Sequence, residues 1–389
     1  MINSLTFKNF DASRVPSPCF VIDEVVIENN LKLLKRVQDE SGAKVLAALK
    51  AFSCWSLAPL YKKYLSGVCA SGLHEALLGE EYYGGEIHTY SAAYKAEDLN
   101  QICELSEHVI FNSFAQWQRF QPLLKQKAEQ GFKPNFGLRI NPEHSEGDVE
   151  LYDPCAACSR LGIPRAQFDK QDLSGISGLH FHSLCEQLFE PLERTLDSIE
   201  LNFSDILPQM EWVNFGGGHW ITAPDYDIDK LIQRIKDFSE KYQVQVYLEP
   251  GEAVAIHSGV LVCEVLDLPH NGRPLAIVDC SATCHMPDTL EMPYRAELLN
   301  AGEQGKKAFS YRLGSTTCLA GDVIGDYSFD QPLEIGQRLM FDDQSHYTMV
   351  KTTTFNGIKL PSIALWNSES DQLTIVREFG YDDFKNRLS

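Results

Sequence analysis

The 389-residue chain carries a formal charge of −20 and an apolar fraction of 44%. That is long enough for one large domain plus a smaller one, and apolar enough for a full core. So acidic a balance excludes a nucleic-acid binder or a polybasic membrane surface and is compatible with a cationic ligand. No run approaches the roughly 18 apolar residues of a spanning helix, and no basic–apolar–small-residue leader opens the chain. With eleven scattered cysteines, free thiols in the reducing cytoplasm are expected.

In chain order, SPCFVID (17–23) reads as a strand that joins the later β-domain. Eight further strands are predicted: AKVLAALK (43–50), GVCAS (67–71), EIHTYS (86–91), HVIFN (108–112), NFGLRIN (135–141), SGLHFH (177–182), EWVNFGGG (211–218) and VQVYLEPG (244–251). Helical spacing fills most of the gaps, as at Trp55–Leu65 and Ile228–Phe238. Eight strand–helix units predict an α/β fold, a (β/α)8 TIM-like barrel over 25–255, with an open doubly wound sheet as the alternative. Past Glu252 short strand-like runs recur without long helices, among them GVLVCEVLDL, LAIVDC, AFSYRLG, RLMFDD, IKLPSIALW and DQLTIVREF. They predict a C-terminal all-β domain of Greek-key or sandwich type, built from 1–24 and 256–389.

In a parallel barrel the chemistry gathers at the C-terminal strand ends. Those ends read Lys50, Ser71, Ser91, Asn112, Arg139 with Asn141, His182, Gly216–Gly218 and Glu249. Lys50 closes an apolar strand, where desolvation would favour its neutral, nucleophilic amine. The glycines of FGGGH leave backbone N–H groups able to approach a phosphate. Glu249 is directed by the proline beside it, and beside a pyridine nitrogen it would keep that nitrogen protonated. His182 could stack on a ring. Each residue alone also has an ordinary structural explanation; their succession at strand ends points to an anionic heteroaromatic cofactor. Cys155-x-x-Cys158 has no second pair at finger-like spacing, so no metal is expected.

On these residues the chain resembles the fold-type III pyridoxal-phosphate (PLP) decarboxylases, the alanine-racemase-like barrel enzymes, from about Ser17 to Phe379. The motifs carrying the likeness are ALKA (48–51), CASGLHE (69–75), LRINP (138–142), GLHFH (178–182), FGGG (215–218), LEPGE (248–252), GSTTCLAGD (314–322) and HYTMVKTTTFNG (346–357). The resemblance implies a PLP enzyme, a carboxy-lyase, working as a homodimer with shared active sites. Lys50 would anchor the cofactor, Glu249 pair with its ring nitrogen, and His182 pack on the ring. Gly216, Gly217, Gly218 and Tyr347 would hold the phosphate. Cys318 would be the general acid, and Cys318 and Asp322 would come from the partner subunit. A carboxylate at position 249, where racemases of this fold carry arginine, favours decarboxylation.

Several departures narrow the branch. Glu252 stands where diaminopimelate and ornithine decarboxylases carry arginine, and Leu319 where diaminopimelate decarboxylases carry glutamate. His182-Ser183-Leu184-Cys185 replaces HxGS, which shifts phosphate binding toward the glycine loop and Tyr347. Segments 141–162 and 279–295 also favour a branch acting on a polyamine precursor, a small cationic amino acid. Asp322, with Glu252, Asp288 and Glu291, is expected to bind the substrate's far cationic end. Rival readings are a diaminopimelate or other basic amino-acid decarboxylase, and a non-catalytic PLP-binding regulatory homologue. The last would be expected to lose Lys50 or Cys318, and both are present.

Overall fold

Apolar runs that end in a polar residue suit strands buried on both faces, and this chain folds them so. The computed structural model describes residues 5–147 and 153–389. It divides into two units, Asn29–Val254 and Met1–Glu28 with Ala255–Ser389. Residues 148–152, within the 141–162 segment, lie outside the described residues.

The first strand, β1 (Cys19–Asp23), belongs to the second unit. The next eight are β2 (Lys44–Ala48), β3 (Gly67–Ala70), β4 (Glu86–Tyr90), β5 (His108–Phe111), β6 (Asn135–Arg139), β7 (Gly178–His180), β8 (Trp212–Asn214) and β9 (Gln245–Leu248). All pair in parallel in sequence order, and β2 pairs with β9, so the sheet is a closed barrel rather than a doubly wound one. The intervening helices have clear local causes. Ile228–Tyr242 buries Leu231, Ile232, Ile235, Phe238 and Tyr242 along one face. Asp227 caps its start by accepting the Lys230 N–H, and Gln243 ends it in the left-handed region at φ 56°.

The barrel interior is filled rather than hollow. Trp212 lies in it beside Tyr247 and a stacked His88–His108 pair whose ring centroids are 3.9 Å apart. Gly137 and Gly178 make the room: a Cβ on Gly178 would lie 2.0 Å from Trp212 Cδ2, and one on Gly137 2.3 Å from its Cη2.

The second unit is one nine-stranded sheet. Its remaining strands are β10 (Gly259–Asp267), β11 (Leu275–Val278), β12 (Gly302–Glu303), β13 (Phe309–Gly314), β14 (Val323–Phe329), β15 (Arg338–Phe341), β16 (Ser362–Asn367) and β17 (Gln372–Arg377). The order is β12-β14-β13-β11-β10-β1-β16-β17, with β15 also on β10. The sheet is mixed, because β1 runs parallel to β16 and β11 to β13. Alternate residues of β1 and β10 enter different cores: Cys19, Val21, Val260 and Val262 one, and Phe20, Leu261, Cys263 and Val265 the other. Burial on both faces explains why these strands read as continuous apolar runs. Among the described residues no helix is long and apolar enough to cross a membrane.

The fit of Trp212 yields a test. Gly178→Ala should lower the unfolding free energy by about 1–3 kcal/mol, since an added methyl must displace a packed indole. Adding Trp212→Phe should recover part of the loss. Equal urea midpoints for Gly178→Ala and wild type would mean that the barrel floor has slack.

Candidate active site

The barrel's strand ends converge on one buried carboxylate. Asn214, the last residue of β8 and fully buried, donates its amide to Glu249 Oε1 at 2.7 Å. His180, the last residue of β7, holds Nε2 3.2 Å from Oε2. Burial opposes ionisation of Glu249, but attraction to the His180 and His88 imidazoles, with the His180 and Asn214 hydrogen bonds, outweighs it and lowers the carboxyl's pKa. Desolvation pulls the His180 pKa down, and the Glu249 carboxylate beside it opposes that shift. The glycine loop is part of the same device. The Glu249 N–H donates to Gly216 O at 2.7 Å, and the Gly216 N–H to Asn214 Oδ1 at 2.8 Å. A Cβ would meet Phe181 O at 2.3 Å from Gly216, Glu249 O at 2.1 Å from Gly217, and Leu184 O at 1.8 Å from Gly218. With φ of 66° and 86° at Gly216 and Gly218, only glycines allow this loop to lie against both neighbouring strand ends.

His182 Nδ1 lies 3.0 Å from the Gly217 carbonyl, which fixes the ring, and Nε2 lies 3.4 Å from Lys50 Nζ. Lys50 is accessible to solvent, yet protein surrounds its amine closely enough for desolvation to lower its pKa. Cys69 and Glu249 oppose that shift and the Arg139 charge reinforces it. Arg139 donates to His182 O at 2.8 Å and lies 4.6 Å over the Tyr90 ring. The mouth therefore presents an amine with lowered pKa, an ionised carboxylate, an oriented imidazole and a close-packed glycine turn. That donor set fits pyridoxal phosphate. The Gly216 N–H is engaged by Asn214 Oδ1 and the Gly217 N–H by His182 Nδ1 at 3.2 Å, which leaves the Gly218 N–H as this loop's candidate for a phosphate contact.

Glu252, three residues past Glu249, opens the short helix Glu252–Ala255 after β9. Desolvation first, then Glu186 and Glu252 nearby, push the Cys185 thiol up to about 11. Sequence reasoning overlooked Glu186, a non-glycine residue at φ 55°, as it overlooked His180 and Asn214. The available signal was a polar residue at an inward position of a short buried strand.

The second unit carries the rest of the expected set. Cys318 is exposed on the loop between β13 and β14, and Tyr347 sits in a turn at φ 50°. Asp343, also left-handed at φ 53°, braces that turn by accepting the His257 N–H at 2.7 Å and lying 3.3 Å from His346 Nε2. Asp322 requires a correction. It is 4% exposed and accepts from Ser281 Oγ at 2.6 Å, the Thr283 N–H at 3.2 Å and the Thr317 hydroxyl. It therefore anchors the Cys318 loop rather than presenting a carboxylate to a substrate amine. Asp288 and Glu291 both face Lys351 in ion pairs.

Comparison with known proteins agrees with this fold and with a pyridoxal cofactor. The family model described as pyridoxal-dependent decarboxylase, C-terminal sheet domain, matches residues 19–345. The chain is 45% identical over 385 residues to a carboxynorspermidine/carboxyspermidine decarboxylase of Campylobacter jejuni, covering 96% of this chain and 99% of that one. It is 44% identical over 378 residues to a carboxyaminopropylagmatine decarboxylase of Synechocystis, covering 97% and 96%. Among solved structures, carboxynorspermidine decarboxylase from Campylobacter jejuni complexed with norspermidine superposes with a TM-score of 0.88 at 44% identity, covering 96% of this chain and 100% of that one.

Burial depresses the pKa of His180, and that of His108 falls to about 2. Below pH 6.5 the unfolded chain takes up protons that these imidazoles refuse in the fold. Their stabilisation is thus complete above about pH 6.5 and is lost on acidification, each imidazole adding a slope on the order of 1.4 kcal/mol per pH unit. Urea midpoints should fall from pH 7 to pH 5, and His108→Gln should flatten the decline. A midpoint constant over that range would contradict the assignment of neutral imidazoles.

Proposed function

Because this chain belongs to the pyridoxal-dependent decarboxylases, we propose that it decarboxylates carboxynorspermidine and carboxyspermidine, releasing norspermidine or spermidine and CO2. The observation that carries this reading is the ionised Glu249 sharing one barrel mouth with Lys50, whose amine has a lowered pKa. When bound, pyridoxal phosphate supplies an electron sink for the pair left as the carbon–carboxylate bond breaks, and a carboxylate at its ring nitrogen deepens that sink.

The chain's own residues do the rest. Lys50 anchors the cofactor and gives way to the substrate's α-amine. His182, oriented by Gly217 O, packs on the ring. Gly218 and Tyr347 hold the phosphate. Cys318 gives its thiol proton to the carbon that has lost CO2. Glu252 and Glu186 receive the substrate's far cationic end, because both carboxylates act on the Cys185 thiol together with the Lys50 amine and so lie beside the barrel mouth. The working unit in this reading is a homodimer in which Cys318 serves the other protomer's barrel. An exposed thiol beside exposed Leu319, with exposed Phe355 next to the Asn356 that accepts the Cys318 N–H, supports that arrangement. Eleven cysteines without a disulfide suit a cytoplasmic setting.

The Synechocystis relative, at nearly the same identity, favours a second reading in which carboxyaminopropylagmatine is the substrate. Product formation by the holoenzyme separates the two. Carboxynorspermidine and carboxyspermidine should both be turned over, since one methylene is worth only about 1–3 kcal/mol. Preference for carboxyaminopropylagmatine establishes the second reading. Preference for meso-diaminopimelate, ornithine, lysine or arginine would overturn the role given to Glu252, and no turnover at all would revive the regulatory homologue.

Lys50→Ala should abolish CO2 release and the visible cofactor absorbance. Cys318→Ala should keep the cofactor and lose most amine product. Mixing the two inactive variants should restore about a quarter of wild-type activity if sites are shared and subunits reassort at random. No recovery from a reassorted mixture would place each thiol in its own protomer's site.

A further inference from the structure

We propose that Asn356 is a positioning residue that sets the aim of the Cys318 thiol, acting through the backbone of Cys318. This rests on the proton-donor role given to Cys318 above. The Cys318 N–H donates to Asn356 Oδ1 at 2.8 Å. Asn356 has φ 57° and ψ 13°, left-handed backbone that asparagine tolerates better than most residues with a side chain. The turn that carries it is itself held. The Gly357 N–H donates to Thr354 O at 3.0 Å, the Thr353 N–H to Cys284 O at 2.8 Å, and Arg387 Nε to Thr354 Oγ1 at 3.1 Å.

The opposite end of the brace is Asp322. It takes the Thr317 hydroxyl while Ser281 and the Thr283 N–H hold its carboxylate. Residues 317 and 318 are thus tied to two separate points of the fold, whereas Leu319 beyond them is exposed. An exposed loop residue without such ties samples many backbone states, and fixing it costs conformational entropy. A thiol that must deliver a proton to one carbon needs its Cα–Cβ vector fixed, and the two ties on successive residues do that. Asn356 suits the task because the same residue supplies the acceptor and accepts the left-handed turn.

Two substitutions in the holoenzyme separate aim from folding. Asn356→Gly keeps the left-handed turn without strain and removes the acceptor, while Asn356→Asp keeps an acceptor at the same reach. In Asn356→Gly, kcat for carboxynorspermidine should fall about tenfold with KM little changed, as expected for a misplaced reacting group. The fraction of released CO2 recovered as intact norspermidine should fall too. Asn356→Asp should restore both. Independently of turnover, alkylation of Cys318 by iodoacetamide, read by peptide mass spectrometry, should change rate several-fold in Asn356→Gly and not in Asn356→Asp. Cys158 and Cys185, also exposed, should keep their rates in both variants. Unchanged kcat and unchanged Cys318 alkylation in Asn356→Gly would overturn the proposal, as would an Asn356→Asp variant as impaired as the glycine. If wild type decarboxylates nothing, the functional reading fails, and the alkylation rates still decide whether Asn356 holds Cys318.

Discussion

Keeping Glu249 charged inside a protein is the constraint around which the barrel mouth is organised. A buried carboxylate is stable only with donors on its oxygens, and here they come from the last residues of the two preceding strands, Asn214 and His180. Asn214 faces both ways, donating to the carboxylate and accepting the Gly216 N–H. The loop after β8 is thereby fastened to the end of β9, and glycine is obligatory where the two backbones meet. His182 is then oriented by that same loop. Near Glu249, Lys50 has the opposite tendency, since protein around its amine favours the uncharged form. One mouth thus holds an acid kept ionised and a base eased toward neutrality, the combination that covalent anchoring beside a protonated ring nitrogen needs.

Much of this was legible in the sequence for a simple reason. A parallel barrel strand is buried on both faces, so it appears as a short apolar run and its functional end as the first polar residue after it. VLAAL before Lys50 and VYL before Glu249 are of this form. The same rule hides residues inside the strand. His180 and Asn214 each end a three-residue strand, too short for a period of two to be read with assurance. Strand β14, VIGDYSF with Asp322 before it, was missed because Asp326 and Ser328 interrupt its apolar pattern. Asp326 binds Arg273 and Arg312, and Ser328 Oγ donates to Glu303 O. Asp322 was misread for a related reason. A carboxylate after glycine on a polar loop has no sequence mark that tells a buried anchor from an exposed ligand.

The second unit answers a different demand. It presents side chains from loops, where backbone freedom would otherwise blur their placement. Tyr347 and Asp343 both hold left-handed backbone without being glycine, a departure tolerated only where the surroundings over-determine it. Lys351 is shared by Asp288 and Glu291, one cation between two carboxylates. Such pairs do not remove the acidity that the composition advertises, since 54 Asp and Glu face 34 Lys and Arg over the whole chain.

The place of β1 bears on how the chain can be made. It lies between β10 and β16, pairing Cys19 with Val262 on one side and with Ser362 on the other. A ribosome adding roughly 5–20 residues per second leaves this apolar strand without its second neighbour for on the order of tens of seconds. Meanwhile the whole barrel is synthesised and can begin to fold. The emerging polypeptide must carry CFVI unsatisfied through that interval, open to chaperones and to association with other nascent chains. The step most exposed to failure in the cell is thus the late capture of the chain's first strand by nearly its last.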